Sequence, residues 1–209
     1  MTLRLYFSAA SPFVRKVMVC AHEKKVADQV EKLASQAWPV KRDPTIVRDN
    51  PSGQVPTALL DDGSPLFDSR VICAYVDTMS GEGGLYPASG EDRFRVLTVE
   101  ALADSALAAA LLCRYETVLR PEELRWQLWS DSQMEKIDSS LDDLETRWID
   151  HLAAGAAETV DAGSVAVACA LGYLDFRFAD KDWRSARPKL AAWFAAFAAR
   201  PSMQATMPS

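Results

Sequence analysis

Proline at residue 56 stands directly before a strand-like run, Thr57-Ala58-Leu59-Leu60, and this placement restricts the fold more than any other feature of the chain. Proline cannot donate to a sheet, so it is confined to strand starts, edges and bulges. The residues before it, Asn50-Pro51-Ser52-Gly53-Gln54-Val55, are mostly turn formers. An Xaa-Pro amide prefers trans by only about 0.5–1 kcal/mol, so a tight turn packed against a site can hold the cis form. Pro56 is therefore expected to be cis. Such a turn points the N–H and C=O of Val55 away from the sheet, where an extended peptide can pair with them, so the first functional expectation is a bound peptide.

Around this turn the pattern is mixed α/β. Leu3 to Phe7 alternates as a first strand, and Ser11-Pro12 marks a helix start, serine at the N-cap and proline at the first helical position. Val14, Val17, Met18 and Ala21 then recur at helical spacing, with Arg15, Lys16, Glu23 and Lys24 assigned to the other face. A second strand is expected near Val30–Leu33 and a short helix over 44–49. A hairpin of Thr57–Leu60 and Pro65–Phe67 turns at Asp62-Gly63, and a third helix buries Val71, Ile72, Tyr75, Val76 and Met79.

Asn50-Pro-Ser-Gly-Gln-Val-Pro56, a short hairpin, then Phe67-Asp68-Ser69 opening a helix resembles the glutathione half-site of the glutathione S-transferase superfamily. Ser11-Pro12-Phe13-Val14-Arg15-Lys16-Val17, with Tyr173-Leu174-Asp175-Phe176-Arg177 late in the chain, is most similar to a bacterial subgroup with serine in the active-site loop. The resemblance implies an α/β thioredoxin-like N-terminal domain followed by an all-α C-terminal domain. It divides the chain into a glutathione-binding domain over 1–80, a glycine-rich linker over 81–92 and a helical domain over 93–209.

The second half is helical in pattern. Phe94, Leu97, Ala101, Leu102, Ala108, Leu111 and Leu112 are expected to line one long helix, and Leu124, Leu128, Met134, Ile137, Leu141, Leu144 and Trp148 another. Val165 to Leu174 is apolar all round, which predicts a central buried helix. Ten such residues are too few to span a bilayer. Asp161 can cap this helix with Ser164 three residues on. Leu190, Trp193, Phe194 and Phe197 make a last helix, stopped at Arg200-Pro201.

The charge balance narrows the partners. A net charge of -6 with no basic cluster argues against a nucleic-acid surface. Cys20, Cys73, Cys113 and Cys169 are far apart in apolar helical contexts and read as reduced core residues of a cytoplasmic protein. With two histidines and no Cys/His spacing, no metal site is expected. No basic segment leading into an apolar run suggests a secretion signal, and no membrane partner is expected.

The resemblance assigns the chemistry to a bound thiol. A free thiol has a pKa of about 8.5, and a donating hydroxyl at the positive end of a helix lowers it. Ser11 fits that role, with Ser8 as competitor, while Tyr6 lies in the strand pattern and reads as packing. Phe13, Gln54, Val55, Asp68 and Ser69 are expected to hold glutathione, and Pro56 to be the structural cis-proline. Val55 pairs backbone to backbone with the cysteinyl part, Asp68 attracts the γ-glutamyl amino group, and Ser69 with backbone N–H groups receives the carboxylate. Asp68 and Ser69 are equally good helix caps. The resemblance offers Lys41 or Arg42 as partners for the glycyl carboxylate, Asp104 for a neighbouring subunit's site, with a solvated helix face as its alternative, and Tyr115, Trp126, Tyr173 and Arg177 for the electrophile pocket, with core or interface packing as theirs. The expected function is glutathione S-transfer to a small electrophile by a homodimer. A glutathione-dependent peroxidase or reductase, or a non-enzymatic interaction protein of the same fold, are the alternatives.

Overall fold

The structure, a computed structural model, describes residues 2–81, 84–157 and 160–209. By internal contacts it divides into two compact units: Met1–Ser89 with Arg200–Ser209, and Gly90–Ala199. Glu82 and Gly83 of the expected linker lie outside the described residues.

The first unit runs β1 (Leu3–Phe7), α1 (Pro12–Glu23), β2 (Val30–Ala34), α2 (Pro44–Asp49), β3 (Ala58–Leu59), β4 (Pro65–Leu66) and α3 (Ser69–Met79). The sheet order is β2-β1-β3-β4, with β1 parallel to β2 and the other two pairs antiparallel. This is the thioredoxin-like arrangement with an all-helical partner unit. Alternation along β1 splits its side chains between two faces. Tyr6 joins Ile46 of α2 and Leu59 of β3 in one cluster, with Val55 packed against it. Leu3, Leu5, Val14, Val17, Ile72, Cys73 and Val76 are buried in the rest of the unit, where α1 packs on α3.

Two lysines of this unit depart from the amphipathic reading. Lys16 is fully buried and Lys24 nearly so. Lys24 pairs with Asp77 of α3 at 3.0 Å, and Asp77 also accepts from the N–H groups of Leu85 and Tyr86. A lysine stem is apolar, so a paired ammonium lets the whole side chain enter the interior. The last residues belong to this unit as well. Arg200 donates through Nε and Nη2 to Glu23 at the end of α1 at 2.9 and 2.7 Å, Ser202 donates to the same carboxylate, and Arg15 donates to the Met203 carbonyl. Met203, in the short helix α9 (Pro201–Gln204), is buried.

The second unit contains α4 (Gly90–Val118), α5 (Gln127–Thr146), α6 (Ile149–Ala157), α7 (Ala162–Arg177) and α8 (Pro188–Ala198). α7 is buried from Ala162 through Leu171, which explains a surface apolar on every side. It lies so close to α4 that a Cβ on Gly163 would stand 3.0 Å from the Val96 carbonyl oxygen and the Val99 Cβ. α4 therefore buries Val96, Val99, Ala103, Ala106, Leu107, Ala110 and Cys113, whose many small side chains permit that approach. The face expected from periodicity is the other one. Phe94 is 67% exposed and Leu112 42%. Leu124 and Leu128, expected to line the next helix, are likewise exposed, while Ile137, Leu141 and Leu144 of α5 are buried. By length and composition α4 could cross a bilayer, yet half of its apolar window is buried within the fold.

Two ionic ties organise the helices. Arg187, at the start of α8, reaches Asp138 and Asp142 of α5. Asp161 caps α7, with Oδ1 accepting from Ser164 N–H at 2.7 Å. Its Oδ2 stands 3.1 Å from His151 Nε2 in a geometry off-axis for a hydrogen bond. The Asp161 carboxylate raises the His151 pKa above its ordinary value against the opposing effect of burial.

Gly163→Ala is expected to lower unfolding free energy by about 1–3 kcal/mol in urea denaturation, because both neighbours at 3.0 Å belong to a packed helix. For His151 the folded-state pKa is the higher, so its contribution is complete below the unfolded value of about 6.5 and disappears as pH rises through the folded value. The melting-temperature gap between wild type and His151→Gln should thus be widest at mildly acidic pH and close towards alkaline pH.

Candidate functional site

The turn before β3 is held by one buried carboxamide. Asn50 Nδ2 donates to Thr57 Oγ1 at 2.8 Å, and its Oδ1 accepts from the Ser52 N–H at 3.0 Å and the Ser52 hydroxyl at 2.9 Å. Thr57 Oγ1 in turn donates to the Gln54 carbonyl at 2.8 Å. Gly53 lies between them at φ 67°, a left-handed conformation that glycine adopts without steric cost. Arg42 donates to the Pro51 carbonyl and lies against Gly53. Of the two candidates for a carboxylate contact in this region, Arg42 is thus already engaged with the turn itself.

The Val55–Pro56 bond is cis. Pro56 is buried, Val55 half-buried and Gln54 exposed. Among the described residues, neither the N–H nor the C=O of Val55 has a hydrogen-bond partner. Sheet register fixes what surrounds them. Tyr6 N–H donates to the Thr57 carbonyl at 2.9 Å, and Leu5 lies opposite Ala58, so Val55-Pro56 falls beside the end of β1 and the loop into α1. On the other side Ala58 lies opposite Leu66, which carries Pro56 towards Asp68. The loop before α1, the proline turn and the start of α3 therefore share one end of the sheet.

Ser11 is the N-cap of α1, and its Oγ accepts from the Val14 N–H at 3.3 Å. No acceptor for the hydroxyl proton occurs among the described residues. The group is half-exposed, oriented by the helix and free to donate outward. Ser8 contributes its carbonyl to Ser11 N–H, closing the loop. Tyr6 is committed elsewhere, donating to Asp49 Oδ2 at 2.6 Å, and burial, then the Asp49 contact, raises its pKa.

Asp68 is the N-cap of α3 and accepts from the Arg70 N–H at 3.0 Å, with the Arg70 guanidinium at 3.2 Å. Desolvation pushes its carboxyl upward. The Arg70 hydrogen bonds and the charges of Arg70 and Lys16 outweigh that and hold it below the ordinary range. Asp68 is exposed, and Ser69 behind it is buried at the same helix end. Sequence periodicity missed Lys16. Its ammonium stands 5.9 Å from the Phe13 ring, so a buried cation sits between two residues singled out for binding. The one available signal was the spacing, since a side chain three residues after Phe13 leans back towards it on a helix. Asp104, Tyr115, Trp126, Tyr173 and Arg177 all belong to the helical unit. Tyr173 is buried, while Trp126 is mostly exposed and its backbone N–H donates to Glu116 at 2.9 Å.

Comparisons with known proteins agree with this layout. Residues 10–79 match the family model described as glutathione S-transferase, N-terminal domain, and residues 106–196 match the corresponding C-terminal domain. YibF of Escherichia coli K12, described as an uncharacterised GST-like protein, is 32% identical over 99% of this chain and 98% of its own. A glutathione S-transferase of Hyoscyamus muticus is 28% identical over 97% and 96%. A crystal structure of a glutathione transferase family member from Pseudomonas fluorescens Pf-5 with bound glutathione superposes at TM-score 0.96, with 45% identity and full coverage of both chains. One with bound S-(propanoic acid)-glutathione gives 0.91, at 44% identity and again full coverage.

Asn50→Ala is expected to cost about 1–3 kcal/mol in chemical denaturation, because it removes the donor to the buried Thr57 hydroxyl oxygen and frees the Ser52 N–H. The Ser52 amide should also lose protection in hydrogen exchange.

Proposed function

The chain belongs to the glutathione S-transferase superfamily, and from that premise we propose that it binds glutathione at this end of its sheet and activates the thiol for attack on a small electrophile. The observation that carries the reading is the Ser11 hydroxyl. Its oxygen is held by the Val14 N–H while its proton has no acceptor among the described residues. A thiolate is the acceptor this arrangement suits. The adjacent first turn of α1 adds positive potential, and both effects lower a thiol pKa of about 8.5 towards neutrality.

The tripeptide is read against three features. The unpaired N–H and C=O of Val55 form an edge that a cysteinyl backbone can extend, as a peptide adds to a sheet. Asp68, held ionised, offers charge to an ammonium, while the α3 N-terminus with Ser69 offers donors to a carboxylate. Phe13 lies in the first turn of α1 and Gln54 in the turn before Pro56. In the reaction, the thiol proton leaves to water, the sulfur pair forms the new bond to carbon, and the electrophile's leaving group departs with its own pair.

No cysteine occurs near Ser11, and all four free cysteines are buried. A protein-bound mixed disulfide therefore has no sulfur to form on at this loop, which favours chemistry by glutathione itself. Four reduced thiols also suit a reducing, cytoplasmic setting. A homodimer is part of the reading, supported by apolar side chains left at the surface of α4, Phe94 and Leu112 among them.

Calorimetric titration with reduced glutathione is expected to show saturable binding in wild type and collapse in an Asp68→Ala, Ser69→Ala double variant; a folded wild type that binds none sinks the reading. Ser11 needs a separation of its two roles. Ser11→Ala removes cap and hydroxyl and should cost about 1 kcal/mol of stability, whereas Ser11→Asp preserves the cap with a side chain that has no proton to donate. Turnover should fall at least tenfold in both, with the bound thiol pKa raised. Full turnover in Ser11→Asp would return Ser11 to a purely structural role.

A further inference from the structure

Helix α2 is six residues long, too short to hold its shape without tertiary support, and Ile46 is its one buried residue. Asn50 is its C-cap, with N–H donating to the Ile46 carbonyl at 2.7 Å. The carboxamide that organises the proline turn is thus carried by a helix with little interior surface of its own.

Tyr6 of β1 supplies the missing attachment. It is 5% exposed and meets this region in three ways. Its backbone N–H donates to the Thr57 carbonyl at 2.9 Å, just past Pro56. Its ring shares a cluster with Ile46 and Leu59, against which Val55 packs. Its hydroxyl donates to Asp49 Oδ2 at 2.6 Å and stands 3.3 Å from the Thr45 carbonyl, so one oxygen meets both ends of α2.

Asp49 directly precedes Asn50. It also accepts from Arg48 Nε and Nη2 at 3.1 and 3.2 Å, but that side chain is 71% exposed. An exposed ion pair contributes little, whereas a short hydrogen bond from a buried phenol to a carboxylate is one of the stronger contacts a neutral donor makes. Burial first, then Asp49, raises the Tyr6 pKa, so the phenol keeps its proton at neutral pH. With that proton given to Asp49, none is left for a bound thiol, which separates this hydroxyl from that of Ser11.

We propose that Tyr6 is a positioning residue for glutathione: by tying Asp49 and Val55 to β1, it fixes the turn whose Val55 amide edge receives the tripeptide. This role rests on the glutathione-binding reading of the site. A residue touching neither sulfur nor peptide then governs affinity, because a turn already in its bound shape has less freedom to lose on binding.

Tyr6→Phe tests the role, since ring and backbone N–H remain and only the hydroxyl is removed. Calorimetry on the full chain with reduced glutathione is expected to give a Kd about five- to tenfold weaker than wild type. The bound thiol, titrated by its thiolate absorbance, should keep its wild-type pKa. Asp49→Leu should weaken binding too and add nothing in the double variant, while Asp49→Asn, which keeps an oxygen for the hydroxyl, should bind within about twofold of wild type. Without ligand, hydrogen exchange at the Ser52 and Gly53 amides, both bonded to Asn50, should quicken in Tyr6→Phe relative to the amides of α3. General destabilisation would quicken all of them together. An unchanged Kd in folded Tyr6→Phe overturns the positioning role and leaves the transferase reading standing. A raised thiol pKa in that variant overturns it as well, by assigning the phenol to the sulfur. A folded wild type that binds no glutathione removes the transferase reading and this role together.

Discussion

The hydrogen bonds of the Asn50 carboxamide underlie the functional end of the first unit. Residues 50–57 contain two prolines and a glycine, a composition that leaves a loop many alternative paths, and a polar interior contact must choose among them. Asn50 makes the choice by facing two ways, donating into the start of β3 and accepting from the turn that precedes it. Its burial raises the stakes, because a carboxamide in a low-dielectric setting is either fully matched or destabilising. The outward amide edge at Val55 is a consequence: with Asn50 and Thr57 satisfying the inner polar groups, the backbone at Val55 turns away from the fold.

A second constraint is economy at helix starts. Ser11, Asp43, Asp68 and Asp161 each cap a helix with a side-chain oxygen. In α1 and α3 the cap also occupies the end of the sheet where the proline turn lies. One residue there satisfies its own helix and still presents a proton or a charge outward. Capping and recognition are compatible because both draw on the same unpaired donors and the same local potential.

Much of this was legible because the informative signals are local. Caps, turn residues, the order of strands and helices, and the apolar girdle of α7 are set within a few residues of one another. What escaped depends on distance in space. Alanine-rich α4 carries two faces of similar hydropathy, and only the close seat of Gly163 selects Val96, Val99 and Ala103 over Phe94 and Leu112. Lys16 and Lys24 read as solvated because a sequence cannot show the aromatic ring or carboxylate that receives a buried ammonium.

The return of the last segment to α1 bears on how the molecule comes into being. Glu23 and Arg200 are 177 residues apart, so their contact closes nearly the whole chain into a loop. Closure entropy grows only logarithmically, which makes such a tie affordable in the finished molecule. In time it is expensive. A ribosome issues Glu23 before the helical unit and Arg200 after it, so the unit begun first is completed after its neighbour has been synthesised. The helical unit, continuous in sequence, can settle on its own schedule, while α1 must wait with its acidic end unmatched.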